Sequence, residues 1–422
     1  MFEWSETDEM IRESVREFIA KEVRPHIDEL EHGDLPPYDI MRKLFADFGI
    51  DVMAGEAVDK MLAREQAKAD RIAAGEPAPE KKKSSDKKGG NPLAAQGSMA
   101  AVLISELTGV TLGSVAAVGV SLGLGAATIA SRGTLAQKQR WLKDIVTLEK
   151  VAAWAITEPD SGSDAFGGMK TYVRRDGEDY ILNGQKTFIT NGPFADTVVV
   201  YAKLDEGDGG DKRERKVLTF VLDKGMAGFT QGKPFKKMGM HSSPTGELFF
   251  DNVRLSKDRL LGETEDHKGG DGRESARTSF IVERVGCAIL SLGIINECHR
   301  LCVDYAKSRK LWGQEIGRFQ LVQLKLAEME IARLNVENMV FNALERAAAG
   351  KIPTLAQASA MKLYSTRAAT EVAMEAVQLF GGNGYMAEYR VEQLARDAKS
   401  LMIYAGSNEI QVTHVAKGLL AG

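Results

Sequence analysis

The stretch TVVVYAKLDEGDGGDKRERKVLTFVL, residues 197–222, holds two runs of Val, Phe and Tyr on either side of a polar, glycine-rich turn. Runs of β-branched and aromatic residues between turn residues are typical of strands. Residues 197–203 and 216–222 are therefore predicted as two strands. Similar runs lie at residues 179–183 and 245–251, so we expect a β-domain at about 151–265.

Helical periodicity precedes and follows this β-rich segment. Near the start, apolar residues recur at steps of three, four and seven, and Ser5 with Asp8 resembles a helix start. The predicted helices are 5–31, 37–49, 58–72, 99–131, 134–145, 275–308, 317–349, 354–380, 390–401 and a helix from 407. We therefore predict an α+β protein with an N-terminal all-α domain at 1–150 and a helical domain at 275–422, without the alternation of a Rossmann sheet.

Residues 51–98 differ in composition from the rest of the N-terminal domain. A helix from Val58 to Ile72 is followed by a segment, 75–92, that is rich in Gly, Pro, Lys and Ser. Residues 51–98 are therefore predicted as an atypical, flexible insert in the N-terminal domain. Its lysine-rich run could bind an anionic surface or ligand phosphates, but a solvated loop explains it more simply.

The composition also limits the classes of function. The 422 residues carry a net charge of −4, which gives no support for a nucleic-acid partner. No uninterrupted apolar run reaches about 18 residues, so no membrane span is expected. Cys287, Cys298 and Cys302 are expected to be small buried residues in a reducing, cytoplasmic location. The histidines lack ligand spacing, so no metal site is expected.

Five short segments carry the candidate chemistry. They are WAITEPDSGSD at 154–164, NGQKTFITNG at 183–192, YAKSRKLWG at 305–313, QLFGGNGY at 378–385 and LMIYAGSNEIQ at 401–411. In this order and spacing they resemble the acyl-CoA dehydrogenase family, and the resemblance covers about residues 1–50 and 99–420. It implies an N-terminal helical domain, a middle β-barrel or sandwich domain and a C-terminal four-helix bundle.

The first two segments suit the ring of a flavin. A neutral tricyclic ring needs apolar walls and a few fixed polar groups. The residues that can supply these walls, hydroxyls and close backbone approach are Trp154, Ile156, Thr157, Gly162, Ser163, Phe188 and Thr190. By resemblance these positions bind FAD, and Ser163 also lies near the substrate thioester. The alternative is that they are ordinary turns and core aromatics of a β-domain.

The later segments supply the remaining positions that match FAD contacts. A guanidinium such as that of Arg309 offers paired donors to a pyrophosphate, although by itself it could be a charge at a helix end. The other matching positions are Trp312, Gln378, Gly382, Ser407 and Glu409. Since Gln378 and Gly382 match positions that reach FAD from a neighbouring subunit, the resemblance implies a homo-oligomer, either a tetramer or a dimer.

Ala405 stands where most members of the resembled family carry the glutamate that removes the substrate α-proton. A methyl group cannot accept a proton, but the backbone N–H at this position remains available to the thioester oxygen. Glu283 precedes Arg284 in the sequence FIVERVG. In the isovaleryl-CoA and long-chain branch of the family, a glutamate just before that arginine is the base, and the position of Ala405 is small.

We therefore predict Glu283 as the catalytic base, with a pKa raised by burial. The simpler interpretation is a surface glutamate in a helix salt bridge. Arg284, Tyr404 and Ala405 are predicted substrate-site residues. The bulk of Tyr404 weakens a short branched-chain assignment. The small residues at 107–114 and 119–127 either leave room for a bulky acyl group or serve helix packing.

The resemblance and the predicted base together imply an FAD-dependent acyl-CoA dehydrogenase that forms a trans-2-enoyl-CoA and passes electrons to an electron-transfer flavoprotein. An acyl-CoA oxidase is disfavoured because such relatives are usually longer chains. One alternative is a non-catalytic acyl-CoA-binding or partner subunit with a vestigial site. Another is related flavin chemistry on a substrate without CoA.

Overall fold

The computed structural model describes residues 4–32, 35–75, 92–266 and 270–421, with only the backbone at 92–96, 275 and 278. Its N-terminal part is helical. The helices are α1 Glu6–Phe18, α2 Ile27–His32, α3 Tyr38–Asp47, α4 Ile50–Ala73, α5 Pro92–Gly119, α6 Ala127–Arg132 and α7 Leu135–Val146. The predicted start at Ser5 is confirmed, because its hydroxyl and the Asp8 carboxylate form a capping box. Short π-helical turns follow α1 at Ile19–Val23 and α5 at Val120–Ala126.

Helix α4 corrects the prediction of a flexible insert that begins at residue 51. The helix starts at Ile50, directly after the turn residue Gly49 with φ +63°. Val58 is buried in the same apolar cluster as Trp141 of α7, and Lys143 Nζ of α7 lies 2.8 Å from an Asp59 carboxylate oxygen. The earlier turns pack as well, since Ile50 lies on the apolar cluster of α1 and α3 and Gly55 is buried against Lys143, so tertiary contacts extend the helix beyond its periodic part. The glycine- and lysine-rich run at 76–91 lies outside the described residues.

The middle of the chain forms one sheet. Its strands are β1 Ala152–Ala155, β2 Tyr172–Asp176, β3 Asp179–Thr190, β4 Thr197–Leu204, β5 Val217–Asp223, β6 Phe229–Gln231 and β7 Thr245–Leu255. The order is β1-β4-β2-β3-β7-β6, with β5 paired to β4. The first part of β4 pairs in parallel with β1 and its end with β2, while β5 runs antiparallel along the other edge. The four predicted strands are confirmed, and β1, β2 and β6 are additional because they are too short to show a period.

The C-terminal part is again helical. Its elements are α8 Gly272–Ser308, the hairpin β8 Lys310–Leu311 with β9 Gln314–Glu315, α9 Gln320–Ala348, α10 Leu355–Phe380, α11 Val391–Leu401 and α12 Asn408–Leu420. Helix α8 packs against α5, α9 and α10. Cys287, Cys298 and Cys302 are free thiols buried on α8, as expected. The predicted α+β class, with helical, sheet and helical parts in that order, is confirmed.

Two helical segments, Gly97–Arg132 and Gly272–Ser308, are long and apolar enough to cross a membrane. Of their most apolar 18-residue windows, 61% and 47% are buried inside the fold. Core helices of a folded protein have the same length and apolarity, so these segments give little support for a membrane span.

Candidate active site

The candidate site forms where α8 passes the loop between α11 and α12. Glu283 and Arg284 lie on α8, and the loop contains Ala405 and Gly406, with φ of +57° and +83°. Positive φ is disfavoured for alanine because its Cβ approaches the carbonyl oxygen. A strained alanine persists only where its surroundings hold it, and such residues cluster at functional sites.

Glu283 has the environment that a base requires. Its side chain is partly buried, and burial raises the pKa of Glu283 to about 7, against the opposing charges of Arg284 and Lys362. No hydrogen bond or ion pair to its carboxylate occurs within the described parts of the chain. A carboxylate with a pKa near neutrality and no fixed partner is suited to proton transfer. Glu283 therefore does not form the surface salt bridge of the simpler interpretation with any described residue.

Arg284 holds the loop instead of facing open space. The guanidinium is buried, and its Nε donates to the Ala405 carbonyl oxygen at 3.4 Å. Its Nη1 donates to Ser359 Oγ at 3.1 Å and lies 3.4 Å from His414 Nδ1. Arg284 thus connects α8, α10 and α12 around the loop. In this structure Arg284 supports the loop, and its predicted contact with the substrate stays a prediction.

Lys362 is a site residue that the sequence reasoning missed. It lies on α10, is 0% exposed, and its Nζ donates to the Gly406 carbonyl oxygen at 2.8 Å and to Asn408 Oδ1 at 3.2 Å. The amide of Gln411 donates to the Ala405 and Gly406 carbonyl oxygens at 3.1 and 2.6 Å. Lys362 shares its helix with a second cation, Arg367, so the sequence alone does not single it out.

Tyr404 and Cys287 complete the surroundings of Glu283. Burial raises the pKa of both groups, and the charge of Glu283 raises each further. The Tyr404 hydroxyl is buried and finds no hydrogen-bond partner among the described residues. The wall around the base is therefore a phenol and a thiol that stay neutral at physiological pH.

Two aromatic residues of the first two segments, Trp154 and Phe188, are together called the shelf; Trp154 adjoins α8, and the Phe188 ring packs on Phe235 at 5.8 Å. The Trp154 ring packs edge-on against Phe280 of α8 at 5.9 Å and Tyr201 at 5.3 Å. Phe188 is 67% exposed and has φ +57° within strand β3, where a β-bulge interrupts the pairing with β7. Such strain in an exposed aromatic residue marks a candidate binding surface.

The other residues of the first two segments have different roles. Thr157 and Thr190 are partly buried at the shelf, whereas Gly162 and Ser163 are exposed in the turn beyond it. Ile156 was expected to form a wall, but its side chain is buried in the core, and its carbonyl oxygen accepts from Lys186 Nζ at 3.0 Å. Ile156 can therefore contribute only through the backbone.

Lys186 and Glu158 form a buried ion pair under the shelf. Their Nζ–Oε1 distance is 2.8 Å, and the backbone N–H groups of Lys170 and Thr171 also donate to Glu158. Burial alone would raise the pKa of Glu158, but the charge and hydrogen bonds outweigh it, and the pKa is lowered. Glu158 is thus fully engaged and is a poor candidate for a base.

The glycines that were expected to leave space for an acyl group divide into two sets. A Cβ at Gly109, Gly113 or Gly125 would meet neighbouring atoms at 3.0, 2.3 and 2.7 Å, so these three serve close packing. Gly119 and Gly123 lie one helical turn apart on an exposed face and have no neighbour within 4 Å. Only this second pair leaves room beside the helix.

Comparison with known proteins decides the family. Three family models match the chain: acyl-CoA dehydrogenase N-terminal domain at residues 5–57, middle domain at 153–253 and C-terminal domain at 270–420. The chain belongs to the acyl-CoA dehydrogenase family. This finding confirms the resemblance and the prediction of an oxidoreductase.

Individual relatives align over nearly the whole chain. An acyl-CoA dehydrogenase from Bacillus subtilis (strain 168) is 33% identical over 419 residues, 98% of either protein. The caffeyl-CoA reductase-Etf complex subunit CarC from Acetobacterium woodii is 32% identical over 426 residues, 99% of either protein. The structure of butyryl-CoA dehydrogenase from Megasphaera elsdenii superposes with a TM-score of 0.81 and 30% identity, over 100% of both chains.

In this acyl-CoA dehydrogenase, four predicted cofactor residues lie far from the shelf. Arg309 and Trp312 follow the end of α8. Gln378 and Gly382 lie at the end of α10, which contacts the last turn of α8 through Tyr305. The Tyr305 ring stacks on Phe380 at 4.0 Å, and its hydroxyl accepts from Asn383 at 3.0 Å. Phe280 and Arg309 are 29 residues apart on one helix, or about 44 Å at 1.5 Å per residue.

Ser407 and Glu409, the remaining predicted cofactor residues, lie at the start of α12 close to Lys362. Ser407 is the residue before the helix, and a backbone hydrogen bond and the Ser407 hydroxyl lower the pKa of the exposed Glu409. The N-terminal end of this helix also favours negative charge. Glu409 is therefore ionised and exposed, unlike Glu283.

Proposed function

We propose that this protein is an FAD-dependent dehydrogenase that converts an acyl-CoA thioester to the trans-2-enoyl-CoA, with Glu283 as the base. The observation that carries the proposal is the partly buried, unpaired carboxylate of Glu283 next to the Ala405–Gly406 loop. Among the motif carboxylates that the structure describes, Glu158 is paired and Glu409 is exposed. Glu283, by contrast, combines partial burial with a carboxylate that has no partner among the described residues.

The loop supplies the second chemical requirement. Removal of an α-proton places negative charge on the thioester oxygen, and a fixed donor stabilises that charge. In the described structure the Ala405 N–H has no hydrogen-bond acceptor, while the carbonyl oxygens of Ala405 and Gly406 are both occupied by donors. We assign the Ala405 N–H to the thioester oxygen.

The residues at the shelf fit a flavin. Trp154 and the exposed, strained Phe188 offer aromatic surface, and Trp154 Nε1 is buried with no partner among the described residues. FAD bound there would accept the substrate β-hydrogen as hydride. Thr157, Ser163 and Thr190 would hold its polar groups, and the backbone at Ile156 and Gly162 would approach it.

A second subunit completes the cofactor site in this proposal. Arg309 lies about 44 Å along α8 from Phe280, which packs on Trp154, so Arg309 and its neighbours Trp312, Gln378 and Gly382 would serve the flavin of another subunit. The α9 surface supports self-association, because Leu321, Leu324 and Ile331 follow each other on it and are mostly exposed. We expect a dimer or a tetramer.

Anaerobic mixing with a panel of straight, branched and polycyclic acyl-CoAs tests the activity through loss of the oxidised-flavin absorbance. Bleaching by at least one of them, and its loss in Glu283→Gln, would support the assignment. An electron-transfer flavoprotein is the proposed electron acceptor, since the relative from Acetobacterium woodii is named as a subunit of a complex with Etf. Its addition should restore the absorbance.

The second candidate function is a non-catalytic acyl-CoA-binding subunit, which Ala405 favours because it removes the carboxylate from the loop. That function predicts stabilisation by acyl-CoA without flavin reduction, and Ala405→Glu would change nothing. Turnover by the isolated protein would exclude it.

A further inference from the structure

We infer that Lys362 is a positioning residue for the proposed reaction: its ammonium fixes the Ala405–Gly406 loop and places a positive charge behind Glu283. The inference rests on the proposed function only for its effect on turnover. Its structural part concerns groups within the chain, and a measurement without substrate can test it.

The contacts of Lys362 are those of a clamp. The side chain crosses from α10 to the loop, and its two acceptors, the Gly406 carbonyl oxygen and Asn408 Oδ1, lie on either side of Ser407. Thr366 Oγ1 shares its proton between the Lys362 carbonyl oxygen at 2.8 Å and the same Asn408 oxygen at 3.2 Å. A buried ammonium with defined acceptors is costly to move, because displacement leaves both the charge and the acceptors unpaired.

The loop depends on such a clamp. Ala405 lies in the left-handed region, with φ +57°, where the Cβ of an alanine is strained against the following carbonyl oxygen. The strain is offset by the donors on the two loop carbonyl oxygens, which come from Arg284, Lys362 and Gln411. Lys362 is the donor that α10 supplies to the Gly406 carbonyl oxygen. Without it, the loop can relax and the Ala405 N–H loses its fixed position.

The charge of Lys362 also acts on the base. The charged and titratable groups around Glu283 are Arg284 and Cys287 on α8, Lys362 on α10 and Tyr404 in the loop, with Glu409 and His414 of α12 beside Lys362 and Arg284. Of these, Arg284 and Lys362 favour the ionised carboxylate. The loss of Lys362 therefore lets burial raise the pKa of Glu283 further.

A purely structural lysine would behave differently. If Lys362 only filled space and bound Asn408, its replacement would lower stability but leave the proton affinity of Glu283 unchanged. The proton affinity is thus the measurement that separates the two roles.

The experiment compares three variants in the FAD-loaded protein. Lys362→Met removes the ammonium, and Asn408→Asp keeps an acceptor but sets a negative charge against it. Thr366→Val is the control, because it removes a hydrogen bond to Asn408 and no charge. The Glu283 carboxyl is titrated by infrared difference spectroscopy without substrate, with Glu283→Gln to assign its band.

Lys362→Met and Asn408→Asp should both raise the pKa of Glu283 by about one unit, since a nearby opposite charge shifts a carboxyl by roughly 1–3 units. Thr366→Val should not change it. In flavin reduction, Lys362→Met should lower kcat at least about tenfold, the effect of losing one fixed donor's alignment, with KM for the acyl-CoA nearly unchanged.

Wild-type titration curves in both charge variants would overturn the inference. If Lys362→Met does not fold, Asn408→Asp decides it in the same measurement. Failure of every acyl-CoA to bleach the wild-type flavin would defeat the proposed function instead, and the infrared titration would still test the role of Lys362.

Discussion

Two glutamates near the Trp154 shelf occupy opposite electrostatic environments. Glu158, at the end of β1, is buried and bonded to Lys186 Nζ at 2.8 Å and to two backbone N–H groups. Glu283, on α8, is partly buried and has no such partner among the described residues. The pKa of Glu158 is lowered, whereas that of Glu283 is raised to about 7.

The difference teaches that burial does not by itself make a base. Burial disfavours the charged form of both groups, but direct donors reverse the result at Glu158. Lys186 reaches its carboxylate, whereas Lys362 bonds to the loop and acts on Glu283 only through its charge. The same residue type therefore stabilises the fold in one place and is free to accept a proton in the other.

The largest expected effect is on catalysis. Glu283→Gln should slow flavin reduction by acyl-CoA about 10²–10⁴-fold, the usual contribution of a positioned base. Stopped-flow absorbance measures it. Glu274→Gln, at an exposed position on the same helix, is the matched control and should keep the wild-type rate. An unchanged rate in Glu283→Gln would remove the distinction between the two glutamates.

Lys186→Met should have the next largest effect, on stability. It leaves the Glu158 carboxylate buried without its cation, which costs about 3–5 kcal/mol of the free energy of unfolding. Urea denaturation measures this loss. Because the two residues form one pair, Glu158→Gln with Lys186→Met should cost less than the sum of the single changes. Simple additivity would contradict the pairing.

The stability of Glu283→Gln should depend on pH in a stated direction. A carboxyl whose pKa is raised by folding stabilises the protein below its unfolded value of 4.5, and this contribution is lost as pH rises through about 7. Above pH 7 the variant should be more stable than wild type by on the order of 2 kcal/mol, after allowance for partial exposure.

Thermal unfolding of both proteins at several pH values measures this difference. At pH 4 the two proteins should unfold at similar temperatures. Glu158→Gln should show the reverse dependence, because the lowered pKa of Glu158 stabilises the fold above 4.5 and that stabilisation is lost as pH falls. Parallel curves for the two variants would show that the glutamates do not differ.

The pH dependence of catalysis should report the same group. Since the ionised form of Glu283 accepts the proton, kcat/KM should fall about tenfold for each pH unit below about 7. Steady-state rates measured from about pH 5 to 9, a range that brackets this pKa, give the acidic limb of the pH–rate profile. A limb near the ordinary carboxyl pKa would mean that Glu283 is better solvated than its surroundings indicate.

The smallest effect belongs to Ala405→Gly. Glycine removes the strain of the left-handed backbone but adds freedom to the unfolded chain, so the gain in unfolding free energy should stay under about 1 kcal/mol. Calorimetry measures it. Destabilisation by more than that would show that the methyl group itself packs in the site.

Sequence patterns predicted much of the architecture for physical reasons. The strands at 179–190 and 245–255 are long enough to show their pattern, and the periodic helices of the C-terminal part are recovered within a few residues. The start of α4 was missed because its first turns depend on tertiary contacts: Ile50 packs on the cluster of α1 and α3, and Gly55 lies against Lys143 of α7. The short strands β1 and β6 depend on pairing across the sheet.

The residues of the candidate site were likewise predictable only in part. Glu283 and Ala405 could be related from sequence because the resemblance assigns both positions one task. Lys362 could not be found in this way, since nothing local distinguishes an ammonium that bonds to a loop residue 44 positions away from one that faces solvent. Ile156 was expected to present its side chain, but the sheet directs that side chain into the core.

The sequence by itself determined the α–β–α order and the family, and it named Glu283 and Ala405 as candidate groups, because these follow from residue types and spacing. Only the tertiary structure decided which carboxylate is free and which is paired. That difference arises from residues on separate elements, Lys186 against Glu158 and Lys362 against the Ala405–Gly406 loop. The structure also separated Trp154 from Arg309, because α8 is a single long helix with Phe280, which packs on Trp154, near one end and Arg309 directly after the other.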